Sequence, residues 1–123
     1  MYEYRAKLVR VVDGDTYDLE VDLGFRTLVR HRFRLVEVNT PEMFGKNACE
    51  AGKQAQGFVM TLLAAQGEWL TIRTQKDKQG KYGRWLADVI LTVNGDGEAF
   101  SHGGRSLSSY LIQKGHAVPY GEK

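Results

Sequence analysis

The sequence is short of the residues that define several whole classes of protein. Cys49 is the single cysteine in 123 residues, so no disulfide framework can form within the chain. No stretch approaches the roughly 18 consecutive apolar residues that a membrane-spanning helix needs. The opening Met1-Tyr2-Glu3-Tyr4-Arg5 lacks the basic end and apolar run of a secretory signal. Together these absences make a reducing, cytoplasmic compartment the expectation, with no membrane partner. There is no internal repeat, low-complexity tract or linker, and at this length residues 1–123 are expected to bury one core as a single domain. An excess of one charge sign is also missing. Seventeen Lys+Arg stand against fifteen Asp+Glu, a net +2. That surplus is too small to argue for nucleic acid by itself, although a pI of about 8.7 permits an anionic partner.

What is present is strict patterning. Residues 6–12 are mostly apolar or β-branched and read as a strand, interrupted by the turn chemistry of Asp13-Gly14-Asp15-Thr16. From Thr16 the alternation places Tyr17, Leu19, Val21 and Leu23 on one face and Asp18, Glu20 and Asp22 on the other. The next segment sets Phe25, Val29, Phe33 and Leu35 against Arg26, Arg30, Arg32 and Arg34, and Leu23-Gly24-Phe25 suits a hairpin between them. Pairing the two apolar faces forces the acidic row beside the arginine row. Arg26, Arg30 and Arg32 are accordingly expected as cross-strand ion partners or solvated face. Arg34 stands apart, because it closes its strand just before a run of polar functional groups.

Ala51, Ala55, Phe58, Val59, Leu62 and Leu63 recur at helical spacing, with Glu50 at the start and Gly67 past the end. A strand at about 69–74, a polar loop at 75–81 and a strand at about 85–93 follow. Asn94-Gly95-Asp96-Gly97 is a tight turn, and Ser106 can cap a short helix through Lys114 that Gly115 ends. The order predicts a mainly β, α+β fold. It is a five-stranded Greek-key barrel of the OB type, with a helix between strands 3 and 4 and a short C-terminal helix.

Three clusters carry polar groups that strands and turns do not require: Asp13-Gly14-Asp15-Thr16, Arg34 through Glu42, and Lys81-Tyr82-Gly83-Arg84. In this order and at these strand ends they resemble the staphylococcal nuclease-like family, over about residues 7–120. By that resemblance Asp15, Asn39 and the backbone carbonyl of Thr40 are metal ligands, with calcium the implied ion and another divalent cation an alternative. Glu42 is the implied general base and Arg34 and Arg84 the arginines that grip phosphate. Lys81 and Tyr82 match positions that hold the nucleotide. The resemblance implies hydrolysis of phosphodiester bonds in DNA and RNA, with single-stranded or unpaired regions preferred, by a monomer that leaves 3′-phosphate and 5′-hydroxyl ends. One departure stands out. The best-known family member has aspartate where this chain has Asn39, so the ion would lose one negative ligand. Asn39 is then either a working ligand in an enzyme that needs more metal, or the mark of a weakened domain that mainly binds nucleic acid or protein.

The chemistry of the residue types agrees with those roles. A guanidinium is always charged and can bond two phosphoryl oxygens at once, which suits the charge that grows as a fifth oxygen joins phosphorus. A hard cation among oxygen donors polarises the phosphoryl group. Glu42 could take the proton of the attacking water or simply orient that water. Tyr120 is a candidate wall for stacking a base, and Gly45 and Lys46 lie in a loop, residues 43–49, able to contact phosphate. His31, His102 and His116 lack partners at metal-ligand spacing, Cys49 lacks a histidine for nucleophilic work, and Trp69 and Trp85 read as core or strand-edge aromatics.

Overall fold

A computed structural model describes residues 2–42, 49–79 and 84–120, with the side chains of 76–79 outside the description. Its chain order is β1 (Tyr2–Asp13), β2 (Thr16–Asp22), β3 (Leu28–Leu35), β4 (Val38–Asn39), α1 (Glu50–Ala65), β5 (Leu70–Gln79), β6 (Trp85–Leu91), β7 (Arg105–Ser106), α2 (Leu107–Gln113) and β8 (Val118–Pro119). The sheet runs β3-β2-β1-β5-β6-β7, and a β3–β6 pairing closes its five long strands into a barrel. This is the expected mainly β barrel with its two helices. No helix among the described residues is long and apolar enough to cross a membrane.

The β2–β3 register is the one that the alternation demands. Asp18 pairs with Arg32 and Glu20 with Arg30 across the ladder, and their side chains make ion pairs of 2.8 and 3.1 Å. These are exposed pairs, each contributing at most about 1 kcal/mol. The opposite face carries Tyr17, Leu19, Val21, Phe33 and Leu35, all buried in the core. β1 begins earlier than its apolar run suggests, because Tyr2–Ala6 find partners on β5, from Tyr2↔Thr74 to Ala6↔Leu70. β5 in turn continues to Gln79 through part of the segment expected as a polar loop. Backbone pairing carries it on, with Gln79 opposite Trp85 beyond an irregularity in the ladder.

α1 buries Gly52, Ala55, Val59, Leu62 and Leu63. Two glutamines fix its position by bonding backbone groups outside the helix. Gln66 donates to the Val93 carbonyl and accepts from the Thr92 N–H, each at 2.8 Å. Gln56 donates to the Val11 and Val12 carbonyls at 3.1 and 3.4 Å. The second contact holds the end of β1, and with it the turn that leads into β2. At the other helix, Ser106 accepts from the Ser109 N–H as the expected cap. Ser108 donates to the Val36 carbonyl at 2.8 Å, tying α2 to the chain between β3 and β4.

The β2–β3 turn departs from its pattern. Phe25, expected on the apolar face, is fully exposed at the turn. Gly24, Phe25 and Arg26 all have positive φ, at 80°, 54° and 59°, and the Leu23 N–H and Thr27 N–H close the turn on Thr27 and Gly24 carbonyls. Two successive left-handed residues suit Asn-Gly, so Phe25 and Arg26 carry strain. Replacing Phe25-Arg26 by Asn-Gly should therefore raise stability by about 1–2 kcal/mol. A urea titration with an unchanged or lower midpoint would show the turn to be unstrained.

Candidate active site

The polar clusters meet where β1 turns into β2 and where β3 ends, and one carboxylate joins them. Asp15 Oδ2 accepts from the Thr40 N–H at 3.0 Å and from Arg34 Nη2 at 3.3 Å, while Oδ1 accepts from the Thr16 hydroxyl at 3.2 Å. Its backbone carbonyl takes the Leu35 N–H at 2.8 Å. The Asp15 and Arg34 side chains are only 11% and 14% exposed, so this ion pair is far better shielded than those along the hairpin.

Arg34 is held on all sides. Nη1 donates to the Leu35 and Val38 carbonyls at 3.1 and 3.0 Å, and Nη2 donates to Asn39 Oδ1 as well as to Asp15. The Tyr120 ring lies 5.5 Å from the guanidinium carbon, which places that aromatic beside the cluster. Arg84 reaches the same centre through Thr16, whose hydroxyl lies 3.5 Å from Nη1. Ladder pairing explains the convergence: Thr16 is opposite Arg34 on β2–β3, and Arg34 is opposite Leu86 on β3–β6.

Glycine is required at position 14 for a local reason. A Cβ there would lie 2.8 Å from the Thr40 hydroxyl oxygen and 2.9 Å from Thr40 Cβ and Cγ2. Closeness of the two segments lets the Thr40 N–H reach Asp15. Tyr17, buried on β2, locks the same turn by donating its phenol to the Gly14 carbonyl. Burial, and then the charges of Asp15 and Asp13, hold that phenol well above its ordinary pKa, so it stays a donor.

Of the residues singled out from sequence, the structure brings Asp15, Arg34, Asn39, Thr40 and Arg84 together. Glu42 is exposed just beyond them, its backbone carbonyl accepting the Cys49 N–H at 3.1 Å. Lys81 and Tyr82 lie outside the described residues, as do Gly45 and Lys46. Two participants went unrecognised in the sequence. Thr16 links Asp15 to Arg84. Asp13 accepts the Asp15 N–H at 3.1 Å and is pushed up to about 6, first by burial and then by the adjoining Asp15 carboxylate. The sequence marks the Asp-Gly-Asp-Thr string as a whole, but nothing in it separates the first aspartate, a common turn residue, as a neighbour of the site.

A divalent cation would need hard oxygen donors that converge, and the donor chemistry here fits one. Asp15 and Asn39 offer a carboxylate and an amide oxygen that already meet at a single cationic nitrogen, Arg34 Nη2. Among the described residues no group of three or more His, Cys, Asp or Glu side chains is placed to hold a metal. Any cation would thus depend on amide and carbonyl oxygens beside Asp15.

Residues 32–123 match the family model described as staphylococcal nuclease homologue. The chain is 28% identical over 125 residues to endonuclease YhcR of Bacillus subtilis strain 168, covering 96% of the chain and 9% of that protein. It is 37% identical over 93 residues to thermonuclease of Staphylococcus hyicus, covering 72% of the chain and 50% of that protein. The chain thus spans half or less of the length of these relatives.

The Asp15 hub yields a structural test. Gly14→Ala should push Thr40 off Asp15 and cost about 1–3 kcal/mol, since overpacking here cannot relax without losing a buried bond. Urea unfolding that leaves the variant as stable as the parent would show that the close approach is not needed.

Proposed function

The chain belongs to the staphylococcal nuclease homologue family, and from that premise we propose that it is a metal-dependent nuclease that hydrolyses phosphodiester bonds in DNA and RNA. The observation that carries this reading is the convergence of Asp15, Asn39 and Arg34 at one point, with Arg84 joined through Thr16. A hard divalent cation, calcium by the family resemblance, would be held by Asp15, the Asn39 amide oxygen and the Thr40 carbonyl. When bound it supplies charge that polarises the scissile phosphoryl group.

Arg34 and Arg84 would bind the phosphoryl oxygens and stabilise the charge that develops on them as the water attacks. In the structure Nη2 of Arg34 is spent on Asp15 and Asn39. For the phosphate to take that nitrogen, the guanidinium must release those two oxygens, which frees them at the same moment. Glu42, exposed beside the cluster, would accept the proton of the attacking water or orient it. Lys81 and Tyr82 are assigned to the nucleotide beyond the scissile bond. The leaving group on this reading is the 5′-oxygen, giving a 5′-hydroxyl and a 3′-phosphate. Unpaired strands are the favoured substrate and the working unit is a monomer.

Incubation of denatured DNA and of RNA with the protein should give cleavage in millimolar calcium and none after a chelator. No cleavage of either substrate in calcium would leave a nucleic-acid or protein binding module in place of the enzyme. Glu42→Gln and Arg84→Ala should each lower turnover about a hundredfold or more while the thermal midpoint holds. Unchanged turnover in both would move the site elsewhere. Asn39→Asp should shift the calcium titration to lower concentration by restoring a negative ligand; an unmoved titration would remove residue 39 from the ion.

A further inference from the structure

The proposed mechanism leaves unused a cavity at the open side of the barrel. β3 gains β6 as a second neighbour only at Phe33, Arg34 and Leu35; among the described residues, Leu28–Arg32 pair with β2 alone. Below that short seam the inward-facing positions continue past the packed core. Tyr2, Tyr4, His31, Phe33, Gln75 and Trp85 are among the side chains lining a cavity of about 330 Å³ there. That volume is at the lower end of the range for sites that hold small ligands.

The lining is selective in its chemistry. Five of its side chains are aromatic, with His31 edge-on to Trp85 at 6.0 Å and Tyr2 tilted to Tyr4 at 6.3 Å. Thr74 and Gln75 add polar groups, and among the described residues no Lys, Arg, Asp or Glu contributes to the wall. A phosphate or an ammonium finds no counter-charge among those residues. A planar heterocycle can stack its faces on the rings and turn its polar edge to the amide and hydroxyl.

Position then selects among heterocycles. Trp85 directly follows Arg84 and pairs with Phe33, the neighbour of Arg34. Side chains alternate across a strand, so Arg34 and Arg84 face one side of the β3–β6 seam while Phe33 and Trp85 face the cavity. The seam ends at Phe33–Trp85, and because Arg84 and Trp85 are consecutive residues on opposite faces, a nucleic-acid strand that rounds that end passes from the arginines to the cavity. We propose that the cavity receives an unpaired base of a nucleic-acid strand whose phosphate lies at the arginine cluster. This rests on the nuclease reading and adds a base subsite to it. Trp85 then serves as a stacking platform rather than the strand-edge aromatic expected from sequence alone.

Trp69→Phe leaves Trp85 as the sole tryptophan of the chain's two. In chelator, so that nothing is cut, this protein is titrated with a fluorescein-labelled single-stranded hexanucleotide for anisotropy and with the unlabelled hexanucleotide for Trp85 emission. Saturable quenching is expected, and an abasic strand of equal length and charge should bind without it. Tyr2→Ala and His31→Ala, both at exposed positions, should each weaken binding by about five- to tenfold, in line with the loss of one stacking contact. Binding seen by anisotropy with unchanged Trp85 emission overturns the subsite and leaves the nuclease reading intact. A change in emission with protein concentration alone overturns it in favour of a second copy. Absence of both binding and cleavage removes the two proposals together.

Discussion

The site depends on one carboxylate being unable to face water alone. Asp15 is buried at the start of β2, and a buried carboxylate is tolerated only when its oxygens are satisfied. Satisfaction comes from separate parts of the chain: the Thr16 hydroxyl beside it, the Thr40 N–H beyond β3, and Arg34 at the end of β3. Each donor brings its own segment to the same place. Gly14 is bare so that Thr40 can approach, and Arg34 gathers the Leu35 and Val38 carbonyls around itself. Local order in the whole β1–β2 and β3–β4 region follows from this demand.

Barrel closure is the second constraint, and it divides the molecule's surfaces. Three residue pairs join β3 to β6, far fewer than the ladders of β1–β2 or β2–β3. So short a seam brings Arg34 and Arg84 together on one face without sealing the barrel below it. Polar residues collect on one side of the seam and aromatic ones on the other. An alternating strand has two faces, and here each face has a different environment to meet.

How much of this was legible follows from the range of each signal. Alternation of period two specifies the β2–β3 register, because a one-residue slip would bury Asp18 and Glu20 in place of Leu19 and Val21. Helical spacing specified α1, and a single serine marked the start of α2. The β5 extension to Gln79 was not legible, since Gln75 to Gln79 is polar throughout and only a partner strand makes it extended. Phe25 misled for a related reason: parity describes strands, and it does not hold in a left-handed turn. At the site, the family resemblance carried by residue types and order pointed to Asp15, Arg34, Asn39, Thr40 and Arg84, but nothing local could show that Thr16 links Asp15 to Arg84. That link arises from ladder pairing between distant strands.

The near-neutral charge acquires a different meaning once the pairs are placed. Glu20, Asp18, Glu3 and Glu68 each lie against a basic residue on exposed faces, with Arg30, Arg32, Arg73 and Lys7 as partners. Such pairs are screened by solvent and contribute little to stability. The Asp15–Arg34 pair is shielded, and there the cost of desolvating two charges is large unless further bonds offset it. Three further acceptors on the guanidinium, the Leu35 and Val38 carbonyls and Asn39 Oδ1, supply that offset. Replacing the pair by apolar residues would often be no less stable in a protein interior, so stability alone is a weak reason to build it. On the proposed nuclease reading, the pair keeps the guanidinium shielded and in place until a phosphate competes with Asp15 and Asn39 for Nη2. The balance of +2 thus conceals an uneven distribution among the described residues: exposed pairs that cancel at little consequence, and one shielded pair whose burial makes each of its charges count.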